Sequence, residues 1–234
     1  MKSTDVARSI KAEQNKKKAK MYARFFKTGK GEYGEDDVFL GLTVPQQRTI
    51  AKQYKDLPLK EIEILLHSTY HEFRLVALLI LVLQYEHGDE KIKKSIAIFY
   101  TKQFRWINNW DLVDLSAYKI LGDWLRDKDK APLSCYAQST HLWTKRIAIV
   151  ATYACIRHNH LDDTFTVSEI LLHDEHDLIH KAVGWMLREA GKKDVVQLER
   201  FLKKHYMTMP RTMLRYAIEK FWEEKRQRYL KGMI

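Results

Sequence analysis

Residues of similar kind recur along the chain at a nearly constant spacing, and this repeat limits the possible folds more than any other feature. Separations of 36, 36, 35 and 34 residues connect side chains that fall early in long helical segments: Arg74, Trp110, Arg146, Lys181 and Arg215. In the same way, Leu65-Leu66-His67 before one segment matches Leu171-Leu172-His173 before another. A period in the thirties built from two helices is typical of an α-solenoid. Since no tetratricopeptide consensus is present, we predict HEAT-like pairs of antiparallel helices, with a concave basic groove on one side of the stack.

Helical periodicity covers most of the sequence. The chain has only nine glycines and four prolines, and residues 133–183 contain neither. No region alternates as a strand would. The sequence therefore predicts an all-α fold, which we treat as one domain over residues 1–234, with an irregular Gly-rich and acidic loop at 28–37. The predicted helices cover residues 3–27, 45–55, 59–67, 70–86, 89–102, 107–125, 131–138, 141–158, 161–173, 175–190, 193–205 and 210–229.

The composition is that of a globular protein in a reducing compartment. The 234 residues are 45% hydrophobic and 30% charged, which favours a packed core and a solvated surface. The longest strongly apolar run, Leu75 to Leu83, is too short to span a bilayer. The first residues do not form a signal peptide, and Cys135 and Cys155 lack metal-site or disulfide spacing. We expect a cytoplasmic monomer that does not associate with a membrane.

The net charge is strongly positive, at +11. A basic chain favours a polyanionic partner, because each Lys or Arg that meets a phosphate releases a condensed counterion. Charge alone does not choose among DNA, RNA and an anionic membrane. It also leaves open that the protein is merely basic.

The pentapeptide from Trp110 to Asp114 combines an aromatic ring and a carboxylate on one helix face. Residues four apart are neighbours on a helix, so Trp110 and Asp114 are predicted to lie side by side. Asp114 falls at the margin of the apolar arc. It is either tied to a basic partner or kept ionised for chemistry, and the pattern leaves both readings open. The predicted apolar arc consists of Trp110, Val113, Ala117, Ile120, Leu121 and Trp124.

Three helices carry basic stripes interrupted by an aromatic residue. Basic groups hold phosphates, and aromatic faces contact sugars or bases. Alternatively, the aromatic rings pack on neighbouring helices under arginine stems. Because three stripes occur on a chain of this charge, we favour a nucleic-acid groove. The stripes comprise Lys181, Trp185 and Arg188; Arg146, Tyr153 and Arg157; and Arg211, Arg215, Trp222 and Arg226.

Motifs for the common cofactor and metal chemistries are absent from the sequence. There is no phosphate-binding loop, no dinucleotide fingerprint and no H-E-x-x-H helix. Histidines at positions 67, 71, 173 and 176 recur with the repeat, and we predict that they serve helix ends and contacts between helices. No arrangement for nucleophilic catalysis can be supported from the sequence. We therefore expect neither a cofactor nor a metal.

Four motifs together resemble the AlkD-like DNA alkylation-repair glycosylases, which are built from HEAT-like repeats. The motifs are W-D-L-V-D at 110–114, W-T-K-R at 143–146, G-W-M-L-R-E at 184–189, and F-L-G-L-T-V-P at 39–45 with Arg48. The resemblance implies Asp114 as the catalytic aspartate and Trp110 and Trp185 at the lesion. It also implies Arg146 at the catalytic site beside the DNA backbone, and Arg188 as a further DNA contact.

The resemblance also implies a reaction. A purine alkylated at N3 or N7 is cationic and leaves readily, so the barrier lies in the oxocarbenium ion that forms on the deoxyribose. A carboxylate at Asp114 would stabilise that ion and position water. We expect a monofunctional glycosylase acting on N3-methyladenine and N7-methylguanine in duplex DNA, with further phosphate contacts at Lys181, Arg157 and Arg215. The alternatives are a non-catalytic HEAT-type scaffold that binds DNA or RNA, and a solenoid that binds an acidic protein.

Overall fold

The computed structural model describes residues 1–234, and its fold is all-α and solenoid-like, without β-strands. The backbone separates into two compact units, residues 1–116 and 117–234, and each is described by itself. The all-α prediction is confirmed, whereas the HEAT-like pairing and the single domain stay predictions. None of the helices has the length and apolar character needed to cross a membrane.

The first unit is assembled around one helix that is buried on nearly all sides. Helix α5 places thirteen of its seventeen residues out of solvent, and its middle part is an unbroken apolar run. Helices α3, α4 and α6 pack around it, and α1 contacts α3, α4 and α5. Each buried leucine or isoleucine contributes roughly 1.5–3 kcal/mol. The helices are α1 (Ser3–Ala12), α2 (Lys16–Phe25), α3 (Val44–Gln53), α4 (Leu59–Leu66), α5 (His71–His87), α6 (Glu90–Lys102) and α7 (Trp110–Ala117), with a 3-10 turn at Phe104–Trp106.

The second unit is organised around two helices, α10 and α13. Helix α13 packs against α10, α11, α12, α14 and α15. At Gly184 the α15 backbone comes so close that a Cβ would lie 2.5 Å from the carbonyl oxygen of Met213. The elements are a π-helical turn (Tyr118–Gly122), α8 (Asp123–Leu125), α9 (Ala131–Ala137), α10 (Leu142–Ala151), α11 (Tyr153–Arg157), α12 (Asp162–Ile170), α13 (Asp177–Lys193), α14 (Val195–His205), α15 (Arg211–Ala217) and α16 (Glu223–Leu230).

The predicted helix over 107–125 is not regular. It contains the π-helical turn at Tyr118–Gly122, which adds a residue to the turn and rotates the next helical segment. At the end of this turn a Cβ on Gly122 would lie 2.1 Å from the carbonyl oxygen of Ala151. The missing side chain therefore allows the close approach of α10. The apolar arc assumed 100° per residue throughout, yet its members Val113, Ala117, Ile120 and Leu121 are buried as predicted.

Three other predicted helices are each divided in the structure. The segment 3–27 breaks because the side chain of Asn15 caps α2, accepting a hydrogen bond from the Lys18 amide at 3.0 Å. The segment 210–229 ends after Ala217 and restarts after Trp222, which takes the N-cap position of α16. The proposed stripe from Arg211 to Arg226 was therefore wrong, because these residues do not share one helix. The segment 141–158 forms α10 and α11, with Thr152 between them, so the predicted stripe of Arg146, Tyr153 and Arg157 also spans two helices.

The segment before α3 is held by a single buried carboxylate. Glu72 is 1% exposed, and its oxygens accept hydrogen bonds from the amides of Leu40 at 2.9 Å, Gly41 at 2.7 Å and Leu42 at 3.3 Å. Gly41 has a φ of +90°, and a Cβ there would lie 2.2 Å from the carbonyl oxygen of Asn15. A glycine is therefore required where the start of α2 crosses this segment.

Candidate functional site

The two carboxylates of the W-D-L-V-D motif have different surroundings. Asp111 is 7% exposed, and its Oδ2 lies 2.9 Å from Nε2 of His71. Asp114 is only half-buried. After burial, which has the largest effect, the negative charge of Asp114 also raises the pKa of the buried Tyr100 phenol. Asp111 thus belongs to the core, whereas Asp114 is the carboxylate of this motif that solvent and a ligand can reach.

Trp110 is held by aromatic rings that come from the N-terminal segment. Its indole stacks on Phe26, with centroids 5.0 Å apart and an interplanar angle of 12°. The ring of Phe25 meets it edge-on at 5.9 Å. Phe26 is buried and Phe25 is 61% exposed, while Trp110 is half-buried. The indole therefore has a fixed orientation and still presents part of its surface to solvent.

Below Trp110 lies a buried network of charged side chains that the sequence patterns did not predict. Asp37, at the end of the predicted loop, lies 3.0 Å from Nδ1 of His71 and accepts hydrogen bonds from Arg74 at 2.5 Å and Asn109 at 3.1 Å. His71 also bonds Asp111, so one imidazole joins the loop to α7. This contact confirms for His71 the prediction that the repeated histidines serve contacts between helices.

The network shifts two pKa values in opposite directions. Burial alone would raise the pKa of Asp37, but the hydrogen bond from His71 and the charges of Arg74 and His71 outweigh it and hold the pKa below its usual 3.8. Burial alone would lower the pKa of His71, but the charge and hydrogen bond of Asp111 and the bond to Asp37 raise it to about 9. At neutral pH Asp37 is therefore ionised and His71 is protonated.

In the second unit, Trp185 belongs to a row of three half-buried aromatic rings. Its indole lies 6.1 Å from the ring of Tyr153, which meets the ring of Tyr118 edge-on at 5.2 Å. The three side chains come from α13, α11 and the π-helical turn. Part of each ring remains accessible. The prediction that Trp185 and Tyr153 lie outside the apolar core agrees with this partial exposure.

The prediction that Arg146 belongs to a basic surface stripe was wrong. Its side chain is buried, at 5% exposure, and its Nη1 donates a hydrogen bond to the carbonyl oxygen of Leu178 at 2.5 Å. The partner carbonyl belongs to the first turn of α13. Arg146 therefore ties α10 to α13, and its predicted role beside the DNA backbone stays a prediction.

The remaining basic residues differ in how far they are engaged within the second unit. Arg188 pairs with Glu219 and, at 3.2 Å, with Glu189. Lys181 pairs with Asp177 at 2.6 Å. By contrast, Arg157 and Arg215 are exposed. These last two are the better candidates for phosphate contacts, because Arg188 and Lys181 already share their charge with carboxylates.

No group of three or more His, Cys, Asp or Glu side chains is placed to hold a metal ion. His176 caps α13, its ring accepting a hydrogen bond from the Leu178 amide at 3.1 Å, which confirms the prediction of a helix-end role for this residue. Cys155 is buried, and that burial raises the pKa of its thiol to about 11. Such a thiol is a poor nucleophile at neutral pH.

Comparison with known proteins decides the family. The model of the DNA alkylation repair enzyme family matches residues 6–221. The chain belongs to this family. A solved structure described as a predicted DNA alkylation repair enzyme from Enterococcus faecalis shares 18% sequence identity. It superposes with a TM-score of 0.71 over 90% of this chain and 97% of that chain, and at this identity the likeness concerns the fold. No curated protein matches.

The family match covers both groups of aromatic residues, the one around Trp110 and the one around Trp185. The match includes α2, α7, α10, α11 and α13, and so every residue of the W-D-L-V-D and G-W-M-L-R-E motifs. A DNA alkylation repair enzyme acts on DNA, and the positive net charge of this chain suits that polyanionic partner. The resemblance inferred from the sequence motifs is thereby confirmed at the level of the family.

Proposed function

We propose that this DNA alkylation repair enzyme is a monofunctional glycosylase that removes cationic alkylated purines from duplex DNA. The observation that carries the proposal is the half-buried Asp114, one helical turn from the half-buried Trp110. The other carboxylate of the motif, on Asp111, is buried and bonded to His71. Asp114 is therefore the carboxylate of this motif that is accessible to a sugar.

The chemistry needs a negative charge more than it needs an acid. In N3-methyladenine and N7-methylguanine the base carries a positive charge and leaves as a neutral molecule, without prior protonation. The glycosidic bond breaks with its electron pair going to the base, and positive charge develops on the deoxyribose. Asp114 stabilises that charge and orients the water that adds to the sugar carbon. The face of Trp110 excludes water and attracts the cation. On the strength of the family resemblance, we propose Trp185 as a further aromatic contact with the DNA.

The proposal does not require a cofactor, a metal or a lysine nucleophile, so we expect no lyase activity. We also place the enzyme in the cytoplasm and expect it to act as a monomer. The direct test is release of free 7-methylguanine, without heating, from methylated duplex DNA. If the protein binds this DNA but releases no base, it is the non-catalytic scaffold. If it does not bind DNA at moderate salt, it is instead a solenoid that binds an acidic protein.

The exposed arginines give a prediction about salt dependence. Replacing Arg157 by alanine should weaken binding to undamaged duplex DNA and reduce the slope of log K against log salt by about 0.9, because one phosphate contact and its counterion are lost. Fluorescence anisotropy at several salt concentrations measures this slope. Arg200 is the matched control, since it is also exposed but lies on α14 outside the predicted stripes. An equal change of slope in both variants would mean that Arg157 contributes only net charge.

A further inference from the structure

The imidazole of His71 lies between two buried carboxylates. Its Nδ1 is 3.0 Å from Asp37 and its Nε2 is 2.9 Å from Asp111. The side chains of His71 and Asp37 are 2% and 3% exposed, and that of Asp111 is 10% exposed. Because ionised carboxylates accept hydrogen bonds and cannot donate them, both ring nitrogens must carry a proton. A neutral imidazole has one N–H and can satisfy only one of the two partners.

The charged groups with the largest effect on His71 belong to this same cluster. Asp37 comes from the 28–37 loop, Asp111 from α7, and the cation of Arg74 from the next turn of α5 itself. Two neutral aromatic faces also pack on the ring. The ring of Phe39 stacks on it at 4.5 Å, and that of Phe26 packs at 5.1 Å. The proton of His71 is therefore the component of the cluster that neutral or mildly alkaline pH can change.

Two routes connect this ring to the candidate active site. The first runs along the backbone of α7. His71 bonds Asp111, which directly follows Trp110 and lies three residues before Asp114. The second is through packing, since Phe26 contacts His71 at 5.1 Å and stacks on Trp110 at 5.0 Å. A shift of the ring would therefore move the first turn of α7 and the aromatic support of the indole together.

We infer that His71 is a positioning residue for base excision. By donating one hydrogen bond to Asp37 and one to Asp111, it fixes the first turn of α7 and so orients Trp110 and Asp114. This inference rests on the proposed glycosylase activity. Buried ion pairs add little to stability compared with well-packed apolar residues, because burying charge is costly. Fixing the geometry of a helix terminus at a reactive site gives this cluster a function that apolar packing would not supply.

The positioning role has a pH signature. The surrounding carboxylates raise the pKa of His71 to about 9, above its usual 6.5. The stabilising contribution of the protonated ring is fully present below pH 6.5 and is lost as the pH rises through about 9. Excision by the wild-type enzyme should therefore decline over the same alkaline range.

The experiment compares His71→Gln with the wild type and with a matched control, His67→Gln. His67 is exposed, caps α4 and bonds Gln103 at 2.9 Å, so it lies in the same unit without contacting α7. The measurement is the single-turnover rate of 7-methylguanine release from pH 6.5 to 10, together with the Kd for undamaged duplex DNA. We expect His71→Gln to lose at least about tenfold in rate at pH 7 with Kd unchanged, and to lose the alkaline decline. The control should match the wild type in rate, Kd and pH profile.

A rate for His71→Gln within twofold of the wild type at pH 7, or an alkaline decline retained by that variant, would overturn the inference while leaving the proposed function intact. If wild-type protein releases no base at pH 7, both fail. Should His71→Gln not fold, NMR titration of the His71 ring proton in the wild-type protein replaces it. A midpoint that coincides with the decline in rate supports the positioning role, and a rate that stays constant while His71 titrates overturns it.

Discussion

Replacing Asp114 by asparagine should abolish base release while DNA binding is retained. The amide has the size of the carboxylate, but it cannot offset positive charge developing on the deoxyribose. Removing one preorganised charge-stabilising group from an active site typically costs a factor of about 100 to 1,000 in rate. We expect a loss of that order in the single-turnover release of 7-methylguanine, with a Kd for undamaged duplex DNA within about twofold of the wild type. Asparagine keeps the size of the side chain and can still form hydrogen bonds, so the free energy of unfolding should change less than after the same substitution at the buried Asp111.

Asp111→Asn is the matched control for this substitution. It makes the same chemical change in the same motif, but at a buried carboxylate bonded to His71. It should lower the unfolding free energy by more than Asp114→Asn does. Full excision by Asp114→Asn would remove Asp114 from the chemistry and would favour the non-catalytic scaffold.

Replacing Asp37 by alanine should cause the largest loss of stability. Its carboxylate is the common partner of His71, Arg74 and Asn109, so its removal leaves the buried cation of Arg74 without its carboxylate and His71 with only one of its two. Removing one partner of a buried ion pair typically costs about 3–5 kcal/mol. Since small domains are stable by about 5–15 kcal/mol, this substitution threatens the fold of the first unit. Urea unfolding of the variant measures the loss.

Asp56→Ala provides the comparison, because Asp56 is exposed and lies in the same unit. It removes the same charge and should change the unfolding free energy by no more than about 0.5 kcal/mol. The stabilisation by Asp37 is present above its usual pKa and disappears as the pH falls through its lowered pKa, so the two variants should converge in strong acid. Equal urea midpoints for both variants at pH 7 would refute the structural role assigned to Asp37.

Local sequence patterns were sufficient to predict most of the helices. Apolar periodicity placed α5 and α13 within a few residues of their observed bounds, since a helix that buries one face must repeat every 3.6 residues. The same rule failed where the backbone departs from that period. The cap at Asn15 divides the first predicted helix, and the π-helical turn at Tyr118–Gly122 interrupts another. The sequence signal for the first break was Asn15 itself, because asparagine is a preferred residue at the N-cap of a helix.

The candidate site was only partly predictable, because its determinants are far apart in the sequence. A single helical wheel placed Asp114 at the margin of the core, but it gave no sign that Asp111 is buried, since its partner His71 lies on another helix. It also placed Arg146 at an edge, whereas that guanidinium reaches the backbone of Leu178. One local signal was overlooked. The first turn of α5, the most buried helix of its unit, contains His71, Glu72 and Arg74, and polar residues in a buried turn require partners.

The contacts of Asp37 also constrain the order in which the first unit can assemble. Its hydrogen-bond partners follow it by 34, 37 and 72 residues. Helix α2, just before the loop, has no buried residues of its own. During synthesis from the N-terminus, this stretch therefore leaves the ribosome before any of the side chains that hold it. Its docking depends on the arrival of α7, so Trp110 acquires its aromatic support at one of the latest steps in the folding of that unit.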